Sequence, residues 1–162
     1  LMQLFMLYSY IMDGFAFAGE AMVGKAIGAQ ARGIYDDTVK RLFRWGWLLA
    51  ALFTVAYFLF GEAYISVLTD NAEVVASARE YQPWTLLFPV CGVAAFIWDG
   101  VYIGATATKG MLVSMASGTA VFFLLYLLLV PSWGNHGLWV AFVCYLAVRG
   151  ISLALTRHRI WR

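Results

Sequence analysis

Charge is scarce in this 162-residue chain: Asp, Glu, Lys and Arg make up 12% of it, against about 25% in an ordinary soluble domain. Eleven Lys and Arg, nine Asp and Glu and two His cannot cover a water-soluble globule of this size. With 63% hydrophobic residues a disordered chain is excluded as well. The net charge of +2 is too small, and its basic residues too scattered, for a nucleic-acid partner. Cysteine is limited to Cys91 and Cys144, both inside apolar runs, which excludes a disulfide scaffold and a cysteine metal site of the usual spacing. His136 and His158 have no metal-ligating neighbours in sequence, and no nucleophile elbow, P-loop, HExxH or dinucleotide signature occurs. The chain therefore reads as a non-enzyme without cofactor or metal. Leu1 opens directly into an apolar run, with no charged n-region or small-residue cleavage site, so the start reads as that of a piece of a longer membrane protein rather than a signal peptide.

What the chain has in abundance is long apolar runs, with a mean hydropathy of +0.77. A helix crosses a bilayer with about 20 mostly apolar residues. Five stretches qualify: 2–29, 44–68, 82–107, 111–130 and 138–156. They are too long, and alternate too little, for barrel strands. The expected fold is an all-α polytopic membrane bundle with the lipid bilayer as its surroundings.

Positive charge sets the orientation. Five spans put Arg32, Lys40, Arg41, Arg44, Lys109, Arg157, Arg159 and Arg162 on one side and only Arg79 on the other, where Asp70, Glu73 and Glu80 accompany it. The basic side is expected to be cytoplasmic, with the C-terminus inside. Trp45, Trp47 and Trp161 fall at that boundary and Trp84, Trp133 and Trp139 at the opposite one, where amphipathic rings anchor helices. Between the first two spans, residues 31–43 alternate Ile34, Tyr35, Val39, Leu42 and Phe43 with Arg32, Asp36, Asp37, Lys40 and Arg41, predicting an amphipathic helix along the inner surface. On the outside, Thr69 or Asp70 is expected to cap a short polar helix over 72–79.

Three acids, Asp13, Glu20 and Asp99, lie inside spans, where each costs roughly 2.5–3.5 kcal/mol even on lenient insertion scales. Such groups face a cavity, pair with a cation, or titrate. Asp13 and Glu20 stand seven apart on one helix face, continued by Gly24 and Gly28, a small-xxx-small pair suited to close helix contact. Asp99 shares a stripe with Gly92, Ala95 or Trp98, Tyr102 and Thr106, pointing to a bundle interior. Pro89 removes a backbone donor, frees the Thr85 carbonyl and predicts a kink. The alternative for Asp99 is structural: a hydrogen bond to Tyr or Ser, or pairing with Lys25 or Arg149. Those two cations otherwise snorkel to the inner interface.

The run from Met12 to Gly28 (MDGFAFAGEAMVGKAIG) resembles the eighth span of multidrug and toxic compound extrusion (MATE) transporters, and most of all their bacterial DNA-damage-inducible F-like subgroup. The segment VLTDNAEV from Val67, then Tyr81 and Pro89, is similar to the family's ninth-to-tenth span connection. Trp98 to Thr106 (WDGVYIGAT), followed by Lys109, Gly110 and Met111, resembles its tenth span. The resemblance implies a C-terminal fragment, spans eight to twelve, of a two-lobed antiporter in the bacterial plasma (inner) membrane. It would export small organic cations or toxic compounds in exchange for H+ or Na+, with the missing N-terminal lobe as partner. It further implies that Asp99 takes part in cation coupling, and Glu20 and Asp13, the other acids inside spans, are the further coupling candidates. Tyr102, Thr106, Tyr8 and Phe17 are the expected cavity residues, with Phe5 and Phe15 as further aromatic contacts. A flippase of lipid-linked substrates and a non-transporting scaffold are the alternatives; few intramembrane cations argue against the first, and three buried acids against the second.

Overall fold

Apolar runs of this length leave backbone N–H and C=O groups nowhere to bond except within their own segment, so helix is the only outcome the membrane allows. The computed structural model describes residues 1–160 and consists of five α-helices: α1 Met2–Gly28, α2 Arg32–Leu68, α3 Ala72–Gly104, α4 Thr108–Trp133 and α5 Asn135–Thr156, followed by a single 3-10 turn Arg157–Arg159. Trp161 and Arg162, expected at the basic boundary, lie outside the described residues. Helices α2 to α5 are each long and apolar enough to cross a membrane. Helix α1 is as long as α4 but carries Asp13, Glu20 and Lys25 within its 27 residues.

Two expected interruptions are absent. The amphipathic stretch 31–43 is not a separate surface helix; it forms the first turns of α2, which runs unbroken for 37 residues. Nothing between Phe43 and Arg44 stops a helix, and hydropathy changes there while helix propensity does not. At about 1.5 Å per residue α2 is far longer than a hydrocarbon core of about 30 Å, so its basic first turns project beyond it. Tyr35, Thr38 and Leu42 keep the buried face of the amphipathic pattern, while Arg32, Asp36, Asp37, Lys40 and Arg41 are exposed. Likewise, the polar helix expected over 72–79 is the start of α3, and its cap is neither Thr69 nor Asp70. Asn71 accepts from the Glu73 and Val74 amides at 2.9 and 3.4 Å, leaving Thr69 to accept from the Asn71 amide. Helix α3 then continues for 33 residues through both Pro83 and Pro89.

Helix ends follow sequence chemistry. Both α1 and α3 finish with the pattern Ile-Gly-Ala-x-Ala, residues 27–31 and 103–107. In both, the fourth residue turns left-handed (Gln30 φ 52°, Thr106 φ 54°), and the next amide reaches back five residues, from Ala31 to Ala26 and from Ala107 to Tyr102, each at 2.9 Å. The α4–α5 connector, expected over 131–137, shrinks to Gly134 alone, whose φ of +55° and ψ of −133° suit only glycine.

Helix α3 is the centre of the bundle, packing against α1, α2 and α5, with α1 also on α2. Helix α4 leans on α5 and buries only Ser114 and Gly118. The core gathers Tyr8, Met12, Leu42, Tyr57, Val93, Ile97, Val101 and Leu153 from α1, α2, α3 and α5. A second cluster, Phe88, Trp139 and Val143, closes the acidic end, so Trp139 is a packed core ring, against the expected interface anchor. It faces α3, edge to Phe142 and tilted on Phe88. Trp84 is also engaged, donating to His136 Nδ1 at 3.1 Å, while His136 Nε2 faces Glu80 at 3.4 Å. Trp45, Trp47 and Trp133 stay exposed.

The closest helix contact is α1 on α3. A Cβ at Gly100 would overlap the Ala16 carbonyl and one at Gly104 the Glu20 carbonyl. The two helices therefore run parallel, Ala16 level with Gly100 and Glu20 with Gly104. Gly24 joins this seam, against the Gly104 carbonyl, whereas Gly28 touches nothing. The small-residue pair that matters is Gly100 and Gly104.

Candidate functional site

Parallel packing in that register brings Asp13 of α1 near the level of Asp99 of α3. Across the α3–α5 contact, Asp99 Oδ2 accepts a short charge-assisted bond from Arg149 Nη2. The pair is largely withdrawn from solvent, with side-chain exposures of 21% for Asp99 and 13% for Arg149. Arg149 thus pairs inside the bundle rather than snorkelling to the interface.

Its guanidinium is shaped by its surroundings. Nη1 donates to Tyr145 Oη at 3.4 Å and Cζ lies 5.6 Å from the Tyr145 ring centre, one turn earlier on α5. Gly118 on α4 leaves room for the aliphatic stem; a Cβ there would stand 2.9 Å from Arg149 Cγ. Ser114 and Ser152 donate to the Arg149 carbonyl, each at 3.0 Å. The Nε of Arg149 has no hydrogen-bond partner among the described residues. Asp13 and Glu20 are half-buried, and among the described residues neither makes an ion pair. The intramembrane constellation is therefore the Asp99–Arg149 pair, with Asp13 near its level on α1 and Glu20 about two turns further along the same helix. No group of three or more His, Cys, Asp or Glu able to hold a metal occurs among the described residues.

Residues 1–128 match the MatE family. The chain belongs to the MatE family. Over its whole length it is 41% identical to DNA damage-inducible protein F of Escherichia coli (strain K12), covering 35% of that protein. Over 93% of its length it is 23% identical to Protein DETOXIFICATION 43 of Arabidopsis thaliana, covering 29% of that protein. The chain thus spans about a third of the length of the curated relatives it matches. No solved structure matches it. Family membership and its apolar helices make it a multi-pass membrane protein.

In this MatE chain the four expected cavity residues do not converge. Tyr8 is fully buried, donates to the Pro89 carbonyl at 3.0 Å and stands edge-on to Phe53 and Phe96. Phe17 lies on the exposed side of α1. Phe5 packs against Phe88 and Phe142, and Phe15 against the core. Tyr102 and Thr106 share a cleft of about 530 Å³ at the basic end, with Lys109 and Thr156. Tyr102 is itself buried there, its hydroxyl donating to the Leu153 carbonyl at 2.8 Å and meeting Thr156 Oγ1 at 2.7 Å. It joins α3 to α5 one turn below the ion pair. Tyr102→Phe should lower stability by about 0.5–1.5 kcal/mol, the usual net worth of one hydrogen bond, since Thr156 Oγ1 also donates to the Leu153 carbonyl, read as the thermal midpoint of the detergent-solubilised protein.

Arg149 was open to view as one of two possible partners for Asp99, but Tyr145 and Gly118 were not. Their only signal is spacing: Tyr145 sits four residues before Arg149, and Ser114 and Gly118 are the small residues of one α4 face, four apart.

Proposed function

We propose that this chain is the C-terminal part of a secondary antiporter that exports small organic cations or toxic compounds in exchange for H+ or Na+. The observation that carries the reading is the Asp99–Arg149 pair, withdrawn from solvent between α3 and α5, with the further acid Asp13 near its level on α1 as an excess of negative charge. A proton or Na+ entering from outside neutralises that excess. Loading Asp99 itself loosens its hold on Arg149, and with it the α3–α5 contact. One lobe arrangement is thereby favoured, while a bound organic cation, held by the same carboxylates, favours the other. The coupling is reciprocal and typically about 1–3 kcal/mol. The detoxification named for the plant relative supports the same reading. The membrane would be the bacterial plasma (inner) membrane, the missing N-terminal lobe completing the cavity and the C-terminus lying in the cytoplasm.

The test uses the whole transporter in proteoliposomes. Asp13→Asn and Asp99→Asn should each reduce gradient-driven efflux at least tenfold, with facilitated equilibration of substrate retained. Efflux unchanged in both variants would overturn the coupling role of these acids.

A further inference from the structure

At the basic end, α2 places Arg32, Asp36 and Lys40 at four-residue steps, on one face of its projecting turns. Across from them stand Arg157 and His158, just past α5. Together with buried Tyr35 and Trp98 they line a cleft of about 450 Å³. Three cations thus converge on it against one acid, Asp36. Among the described residues, none of Arg32, Lys40 and Arg157 makes an ion pair.

A second, apolar groove of about 490 Å³ runs along the α2–α3–α5 surface, lined by Phe43, Trp47, Val90, Ala94, Ile151 and Ala154. Trp98 and Arg157 line both cavities, so the groove adjoins the basic cleft. Trp47, half-exposed beside the groove, is the kind of ring that marks the headgroup level of a bilayer. Together they offer a basic head beside an apolar trough.

We propose that this composite cavity binds an anionic phospholipid of the leaflet at the basic end, its phosphate held by Arg32, Lys40 and Arg157 and one acyl chain laid in the groove. Charge complementarity selects the headgroup, since each cation near an anionic lipid surface contributes about 1 kcal/mol. The groove selects an attached chain over a free phosphate. The site lies across the bundle from the α1 acids and does not depend on what solute is transported.

The experiment is native mass spectrometry of the whole, delipidated transporter, titrated with phosphatidylglycerol, phosphatidylcholine of the same acyl chains, and glycerol 3-phosphate. Phosphatidylglycerol should bind at least tenfold more tightly than either of the others. Lys40→Gln/Arg157→Gln should weaken it about thirtyfold, while leaving phosphatidylcholine unchanged. Arg41→Gln/Arg44→Gln, exposed cations of the same helix outside the cleft, should keep the preference. Val90→Phe, which narrows the groove, should weaken phosphatidylglycerol without touching the weak glycerol 3-phosphate binding. Equal binding of the two lipids, an unaffected Lys40/Arg157 variant, or glycerol 3-phosphate binding as tightly as phosphatidylglycerol would each overturn the proposal.

Discussion

Replacing Arg149 with leucine should cost the whole protein about 3–5 kcal/mol of stability, because it leaves the Asp99 carboxyl largely desolvated and without its partner. The loss should appear as a lower thermal midpoint in detergent and as poor accumulation in the membrane. Asp99→Leu alone should do similar damage by stranding Arg149. Combining the two removes both charges and should recover most of the loss, since a buried pair is often no more stabilising than apolar residues of the same volume. The double-mutant cycle therefore separates two meanings of the pair. A restored midpoint with efflux still abolished means that the ions serve transport rather than folding. A midpoint that falls additively means that the two side chains do not interact, which the geometry forbids.

Gly104→Leu is expected to be as disruptive, for a different reason. The obstacle at Gly104 is the Glu20 backbone and not a side chain that can swing aside, so α1 must move away from α3 along the whole Gly100–Gly104 seam. Overpacking of a well-packed core costs about 1–3 kcal/mol when side chains can yield; here the upper end or beyond is expected. Gly28→Ala is the control. It has open space around it, lies in the last turn of α1 as Gly104 does in α3, and should be neutral or stabilising by up to about 1 kcal/mol. Thermal midpoints measured together would show both. A tolerated leucine at 104 would mean that α1 does not sit on α3 at this distance.

The helical bundle, its four strongly apolar helices and the three immersed acids were legible because each depends on local composition: hydropathy reports what a segment does in lipid. Hydropathy does not report where a helix stops. The polar residues 31–43 and 72–79 read as separate short helices, yet each is continuous with the span that follows, since a solvated turn of helix needs only propensity and a cap. Asn71 took the cap from its neighbours Thr69 and Asp70 because its side chain reaches the Glu73 and Val74 amides from that position. At the candidate site, Asp99 was visible as a costly acid, but the choice of Arg149 over Lys25 was not. It follows from the register of α3 on α5, fixed by Tyr102 on the Leu153 carbonyl and by Gly150 against Ala94. The surroundings of Tyr8 were hidden for the same reason: nothing in the sequence of α1 shows that α3 presents the Pro89 carbonyl to its hydroxyl.

A connection of one residue between α4 and α5 has a mechanical result. Gly134 gives the chain no slack, and Gly137 lies so close to the Leu129 backbone that the two helices are clasped at that corner as well as along their length. Neither can slide in depth alone. Any rocking that reaches α5 through Arg149 must carry α4 with it, as the outer arm of a rigid two-pronged lever whose load falls on Gly118 and Ser114.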